Sequence, residues 1–378
     1  MTFLNTSLIR KLTLFLAAAM LSVSSVAADF NQNQRLADQG DSDAQFNLGV
    51  IYDYGKGVRQ NYKKAAEWYE KSANQGHSTA QANLGIMYYI GEGVKQDYAQ
   101  ARNWFKKSAD QGNAEAQFNL GVMYAKGQGV PKNYAKAVEL YEKSANQGHA
   151  AAQGNLGTMY AKGQGVSQNY AKAVELYEKS AEQGNAEAQF NLGLEYNTGR
   201  GITQNYAKAV ELYEKSANQG HAAAQVNLGI MYANGNGVRQ SYAKAIEWYE
   251  KSANQGSANA QGILGNTYEN GEGVSRNYAK AVEWYEKSAN QGFAQAQYRL
   301  GVMYANGNGV RQSYAKAIEW YEKSANQKNA QAQYNLGIMY YNGDGVRQNK
   351  VTAKEWFGKA CDNGNQAGCD EYRKLNQR

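Results

Sequence analysis

The pair Leu-Gly recurs nine times at a spacing of 36 residues, with no insertion or deletion between copies. Its glycines are Gly49, Gly85, Gly121, Gly157, Gly193, Gly229, Gly265, Gly301 and Gly337. A fixed period of this length means one supersecondary unit stacked on itself, not a chain folded about one centre. Arrays of this kind make surfaces more readily than enclosed pockets, so binding is the first function class to consider.

Each unit reads the same way. In the first, Ala44, Gln45, Leu48, Gly49 and Tyr52 begin a segment in which Leu48 and Tyr52, four apart, share a helical face. Gly55 and Gly57 break it. From about Tyr62 to Gln75, the residues Ala65, Trp68, Tyr69 and Ala73 form a second apolar stripe, which Gly76 closes. His77, Asn113, Asn185, Ser257 and Asn329 share the next phase and are mostly N-cap types. The spacing therefore predicts helix A, a glycine-rich loop, helix B and a tight turn. One unit cannot cover its own stripe, so stability must come from stacking. Residues 29–40 read as an N-terminal capping half-unit, 41–364 as nine units and 365–378 as a closing helix.

The copies can be compared with one another. Tyr52, Gly57, Ala65 and the glycine after Leu48 are unchanged in all nine. A mid-helix glycine costs about 1 kcal/mol against alanine. Its ninefold repetition predicts close helix–helix approach. All six tryptophans (Trp68, Trp104, Trp248, Trp284, Trp320 and Trp356) occupy one phase of helix B, which reads as packing.

The pattern Ala-x-x-x-Leu-Gly-x-x-Tyr-x-x-Gly-x-Gly-Val, followed by Tyr-x-x-Ala-x-x-Trp-Tyr-x-Lys-Ser-Ala-x-x-Gly, covers residues 30 to 378. It resembles the Sel-one-like repeat family, relatives of the tetratricopeptide solenoids. The resemblance implies an all-α fold, a right-handed superhelical solenoid of stacked antiparallel helix pairs with helix A on the concave face. It also implies adaptor or scaffold roles, in bacteria often at the cell envelope or in contact with a host.

The first 28 residues differ from the rest. Arg10 and Lys11 precede an apolar run from Leu12 to Val23, and Val26-Ala27-Ala28 supplies small residues before Asp29. That is the pattern of a secretory signal peptide cleaved after Ala28, and it predicts a periplasmic or secreted protein with no integral membrane segment after cleavage. The chain carries +7 formally, and removing Arg10 and Lys11 leaves +5. Helix B charges alternate, as in Glu67, Glu70 and Lys71, while Arg59, Lys95, Arg239, Arg311 and Arg347 share a loop phase and form a weak basic edge. No dense basic run is interleaved with aromatics, so nucleic acid is not the expected partner. Cys361 and Cys369 are the only cysteines. Eight residues apart across a tight helix turn, they have a spacing that lets them face each other, and in an exported protein they are expected to form a disulfide that staples the C-terminal cap.

Nothing in the sequence assembles a catalytic set. His77, His149 and His221 stand two units apart and read as turn or N-cap residues. Two cysteines alone leave a metal shell incomplete. The Gly-x-Gly pairs lack the Lys-Ser/Thr that a phosphate-binding loop needs. No cofactor, metal or enzymatic activity is expected. The candidate binding residues lie where copies differ along helix A, at the phases of Asp43, Phe46, Val50, Asp53 and Tyr54. Phe46, Phe118, Phe190, Tyr298 and Tyr334 give aromatic bumps, Ala82, Gly154, Val226 and Gly262 give hollows, and Tyr89 adds an amphipathic contact. Beside them runs an amide series, Asn47, Asn83, Asn119, Asn155, Asn191, Asn227 and Asn335, broken by Ile263 and Arg299. An amide row can clamp an extended peptide backbone, and equally can bond its own stack. The sequence thus predicts an exported scaffold for a protein or peptide partner, bound in the concave groove. A host-directed secreted factor, a regulator of envelope peptidoglycan and a β-lactam-binding or hydrolysing protein are the alternatives.

Overall fold

Every helix B starts where Asn, Asp or Ser precedes the first helical residue. Asn61 accepts a hydrogen bond from the Lys64 backbone N–H at 3.0 Å and starts the helix Tyr62–Asn74. Every helix A with an assigned C-cap ends on a left-handed glycine: Ser42–Tyr54 stops at Gly55, φ 66°, whose N–H returns to the Ile51 carbonyl. These signals generate the whole pattern. The computed structural model describes the backbone of residues 23–377. Among the described residues there are twenty helices and no strand. The expected signal peptide lies mostly outside the described residues, and the side chains around Ala28 lie outside them entirely. No described helix is long and apolar enough to cross a membrane.

The described residues form two compact units, 23–188 and 189–377. Within each, consecutive helices pack in sequence order as antiparallel pairs. The reason for the invariant glycine is geometric. A Cβ on Gly49 would sit 2.4 Å from Cδ1 of Tyr69, and one on Gly229 would sit 2.4 Å from Cε1 of Tyr249. The helix B ring lies flat across the glycine backbone of its own helix A, and only glycine leaves room for it.

Neighbouring repeats are joined by a polar relay under the apolar layer. Gln45 is buried, and its Oε1 accepts from Nε2 of Gln75, at the end of the same repeat, at 2.8 Å. The next repeat's Gln81 donates to the Ala73 carbonyl at 3.0 Å, reaching back to the preceding helix B. In the second unit, Gln255 donates to Gln225 at 2.7 Å and Gln261 donates to the Ala253 carbonyl at 3.1 Å. Buried Ser72 and Ser252 donate to the Ser42 and Ala222 carbonyls at 2.8 and 2.9 Å. These residues satisfy main-chain carbonyls that burial would otherwise leave bare.

The last repeat is closed covalently. Cys361, in Lys350–Asp362, is bonded to Cys369, in Gln366–Asn376, with Cα atoms 4.5 Å apart. The loop they span is eight residues, so chain-entropy arithmetic gives about 2–3 kcal/mol.

Candidate functional site

The residue types predicted to face a partner are placed by the joint between helix A and the turn that begins the next repeat. Phe46 stacks on the His77 ring at 4.6 Å, Phe118 on His149 at 4.8 Å, and Phe190 lies against His221 at 4.8 Å. Each also meets the ring that crosses the helix A glycine: Tyr69 at 5.9 Å, Tyr141 at 5.9 Å and Tyr213 at 6.0 Å. Tyr298 meets Tyr321 at 6.1 Å, and Tyr334 meets Phe357 at 5.7 Å. Phe118 is 9% exposed; Phe46, Phe190, Tyr298 and Tyr334 are half-buried. The histidines serve as N-caps, as their phase suggested. His149 Nδ1 accepts from the Ala152 N–H at 3.2 Å, which leaves the hydrogen on Nε2 to meet Glu115 Oε2 at 3.0 Å.

The amide row sits half in the stack. Asn83 and Asn155 face the hydroxyls of Tyr69 and Tyr141 in the preceding repeat, and Asn227 and Asn335 face those of Tyr213 and Tyr321. Burial pushes the Tyr213 and Tyr321 hydroxyls up to about 12, and the facing amides pull them back. Asn119, whose preceding repeat offers the hydroxyl-free Phe105, turns instead to the Glu115 carbonyl at 3.0 Å and carboxylate at 2.9 Å. Asn47 donates to Asn33 at 3.2 Å, and Asn191 is half-buried. Tyr89 donates to Gln128 in the following repeat at 2.5 Å.

Where the amide row breaks, an ionic group replaces it. Tyr285 donates to Glu269 at 2.5 Å, and Arg299 lies 3.7 Å from Glu269. Ile263 packs on the apolar cluster that holds Tyr249. A buried acid, Glu195, replaces the methionine found at its phase in most repeats, and its side chain is 4% exposed. Arg200 bonds it at 3.1 Å; burial raises its carboxyl above the ordinary range, and Arg200 opposes that. One expectation is corrected here. Asp53, read as part of the open variable face, is 3% exposed and accepts from the Tyr69 hydroxyl at 3.2 Å.

This unit geometry, a helix A glycine under a helix B ring and a loop of two left-handed glycines, is matched nine times by the Sel1 repeat description. The matches run without gaps over residues 42–77, 78–113, 114–149, 150–185, 186–221, 222–257, 258–293, 294–329 and 330–365. The chain belongs to the Sel1 repeat family. Among solved structures it is similar to a protein described as a protective antigen present in uropathogenic Escherichia coli strains and displaying an SLR fold. That likeness has 36% identity, covers 92% of this chain and 82% of the other, and gives a TM-score of 0.59. A Sel1 repeat protein from Oxalobacter formigenes is 34% identical over 65% of this chain and 96% of its own, TM-score 0.59. The tetratricopeptide-sensor ATPase PH0952 of Pyrococcus horikoshii, 14% identical over 88% of this chain and 54% of its own with TM-score 0.56, shares the fold alone. A search of curated proteins returns no match.

The buried glutamines of the Sel1 repeats, not the aromatics, are what the sequence left unassigned. The signal was present, since Gln recurs at one phase in all nine copies beside the invariant alanine. A polar residue repeated that strictly inside an apolar pattern marks a bond the stack requires. Among the described residues, no group of three His, Cys, Asp or Glu side chains converges as a metal site would need.

Proposed function

We propose that the protein is an exported Sel1 repeat scaffold that holds a protein or peptide partner along its helix A face and performs no chemistry of its own. The observation that carries this reading is the half-open row on that face. In the first compact unit it holds Phe46, Asn47, Asn83, Tyr89, Asn119 and Asn155. In the second it holds Phe190, Asn191, Asn227, Tyr298, Arg299, Tyr334 and Asn335. Amphipathic rings and amides at equivalent places in successive repeats suit an extended chain, with the ring edges as anchors and the amides as backbone contacts. The signal-like N-terminus and the Cys361–Cys369 bond support export.

The similarity to a protective antigen of uropathogenic strains favours a second, narrower reading, in which the partner is a host molecule. The test is capture of partners from envelope and host extracts by the purified protein and by variants. Asn83→Ala with Tyr89→Ala is expected to weaken capture, while Glu70→Lys on helix B leaves it intact, with helicity checked by circular dichroism. The reverse ranking would move the site off helix A.

A further inference from the structure

Four lysines in the last turn of helix B are neutralised by their own helix. Lys143, Lys179, Lys215 and Lys251 lie within 2.6–2.9 Å of Glu139, Glu175, Glu211 and Glu247, one turn away. The loop arginines behave differently. Among the described residues, Arg59, Arg239 and Arg311 enter no ion pair, and each stands exposed. Arg59 lines an open groove of about 550 Å³ with Tyr52, Val58, Gln60, Asn61 and Lys64. The eighth repeat repeats it: Tyr304, Val310, Arg311, Gln312, Ser313 and Lys316 line about 540 Å³. The sixth repeat has the same residues, Tyr232, Val238, Arg239, Gln240, Ser241 and Lys244, and the same internal bonds.

The three loops are built alike. A lysine from the first turn of helix B lies over the tyrosine ring at 5.0 Å in all three. The glutamine is tied down, donating to the Asp53, Ala233 or Ala305 carbonyl at 2.7–2.8 Å and to the tyrosine that starts helix B. That leaves the guanidinium and the ammonium free at the mouth. No carboxylate lines either groove; Glu286 is held by the Tyr304 hydroxyl at 3.3 Å, and Asp53 accepts from the Tyr69 hydroxyl.

We propose that these Val-Arg-Gln grooves of the first, sixth and eighth repeats each seat a carboxylate side chain of an acidic protein segment. The proposal rests on the scaffold reading and adds a second contact edge to the helix A face. A planar guanidinium takes a carboxylate through two parallel bonds, and the nearby ammonium adds a third donor. Charge pattern selects a protein over a nucleic acid. The loops of the second, seventh and ninth repeats carry Glu92, Glu272 and Asp344. A duplex, with one charge per about 1.7 Å, would meet those acids. A segment with spaced carboxylates avoids them.

The test is fluorescence anisotropy with a labelled peptide of alternating Glu and Gly, on the full chain. Arg59→Gln/Arg239→Gln/Arg311→Gln is expected to weaken binding about tenfold, the loss of one charge-assisted pair at each seat. Lys143→Gln/Lys179→Gln/Lys251→Gln removes the same charge and is expected to cost less than about twofold. Equal losses in the two variants would mean that net charge alone attracts the peptide, and would overturn the sites. So would tighter binding of a short DNA duplex or of phosphatidylglycerol vesicles, lost in the same loop variant. A captured partner that survives the loop variant but is lost with Asn83→Ala/Tyr89→Ala removes the loop sites and leaves the scaffold reading standing. No partner captured by the unaltered chain, with peptide binding intact at the loops, removes the scaffold reading and leaves the sites.

Discussion

The joints that close the third and seventh repeats fill the same space from opposite sides. In the third, helix Ala114–Lys126 supplies the ring: Phe118 lies under His149, which also caps the next helix and bonds Glu115. In the seventh, helix Ala258–Asn270 supplies only Gly262, and the ring comes from the cap position as Phe293. A Cβ on Gly262 would meet that ring at 3.2 Å. The exchange preserves packing and gives up a bond, because Phe293 makes no side-chain cap to its helix. In these two joints the helix A residue and the cap residue vary as a pair, and the difference between Phe118 and Gly262 reflects which side supplies the ring.

The largest expected effect comes from removing a ring. Phe118→Ala should destabilise the third joint by about 3 kcal/mol, near the lower end for a buried phenylalanine. Hydrogen exchange should show the opening confined to neighbouring repeats. An unchanged exchange pattern would mean that Phe118 belongs to a binding surface and not to the joint.

Next in size is a clash. Gly262→Phe should cost about 2 kcal/mol by overpacking against Phe293. Adding Phe293→Asn should recover most of it, because the second change vacates the space and restores a cap. Additive losses in that double-mutant cycle would show that the two positions do not share one cavity.

A smaller gain should follow from Phe293→His, which keeps an aromatic ring and supplies an Nδ1 acceptor for the Ala296 N–H. About 1 kcal/mol is expected, the usual worth of an N-cap, read as slower exchange in the helix Ala294–Asn306.

The smallest effect is one of pH. Burial works against the charge of Glu115, but hydrogen bonds from His149 and Asn119 and the attraction of His149 outweigh it and lower its pKa below 4.5. A depressed carboxyl contributes stability above the ordinary pKa and loses it as pH falls through the folded value. The third joint should therefore loosen as pH falls below the ordinary glutamate range, relative to the seventh, where Asn259 holds the equivalent place. Glu115→Gln should abolish the difference, and an unchanged acid transition would detach Glu115 from the joint.

Much of this was legible in the sequence. The period gave the units, Gly55 and Gly76 gave the helix ends, the ninefold mid-helix glycine gave the close approach, and Cys361 with Cys369 gave the staple. Sidedness on helix A was harder. Helix B has one stripe, with Tyr69 and Ala73 inside and Glu70 and Lys71 outside. Helix A is covered by its own helix B and by neighbouring repeats, so residues on several sides are buried. Asp53 looked open because it is charged and variable, yet its carboxylate is held by Tyr69 from across the pair. Spacing within one helix cannot reveal a partner 16 residues away on another.

The glutamine relay has a consequence for how such a chain changes over generations. Within each compact unit the described seams share one grip: a glutamine that receives from its own repeat and gives to the one before. Any copy can follow any other without orphaning a buried carbonyl. A crossover between misaligned gene copies, adding or deleting a multiple of 108 base pairs (three per residue of the 36-residue period), would leave a chain whose joins are all complete. The segments Leu228–Gln255 and Leu300–Gln327 differ only at Ile230 and Val302, the residue of such an exchange. Length is thus the property that inheritance can alter at least mechanical risk, and with it the number of basic grooves one molecule presents.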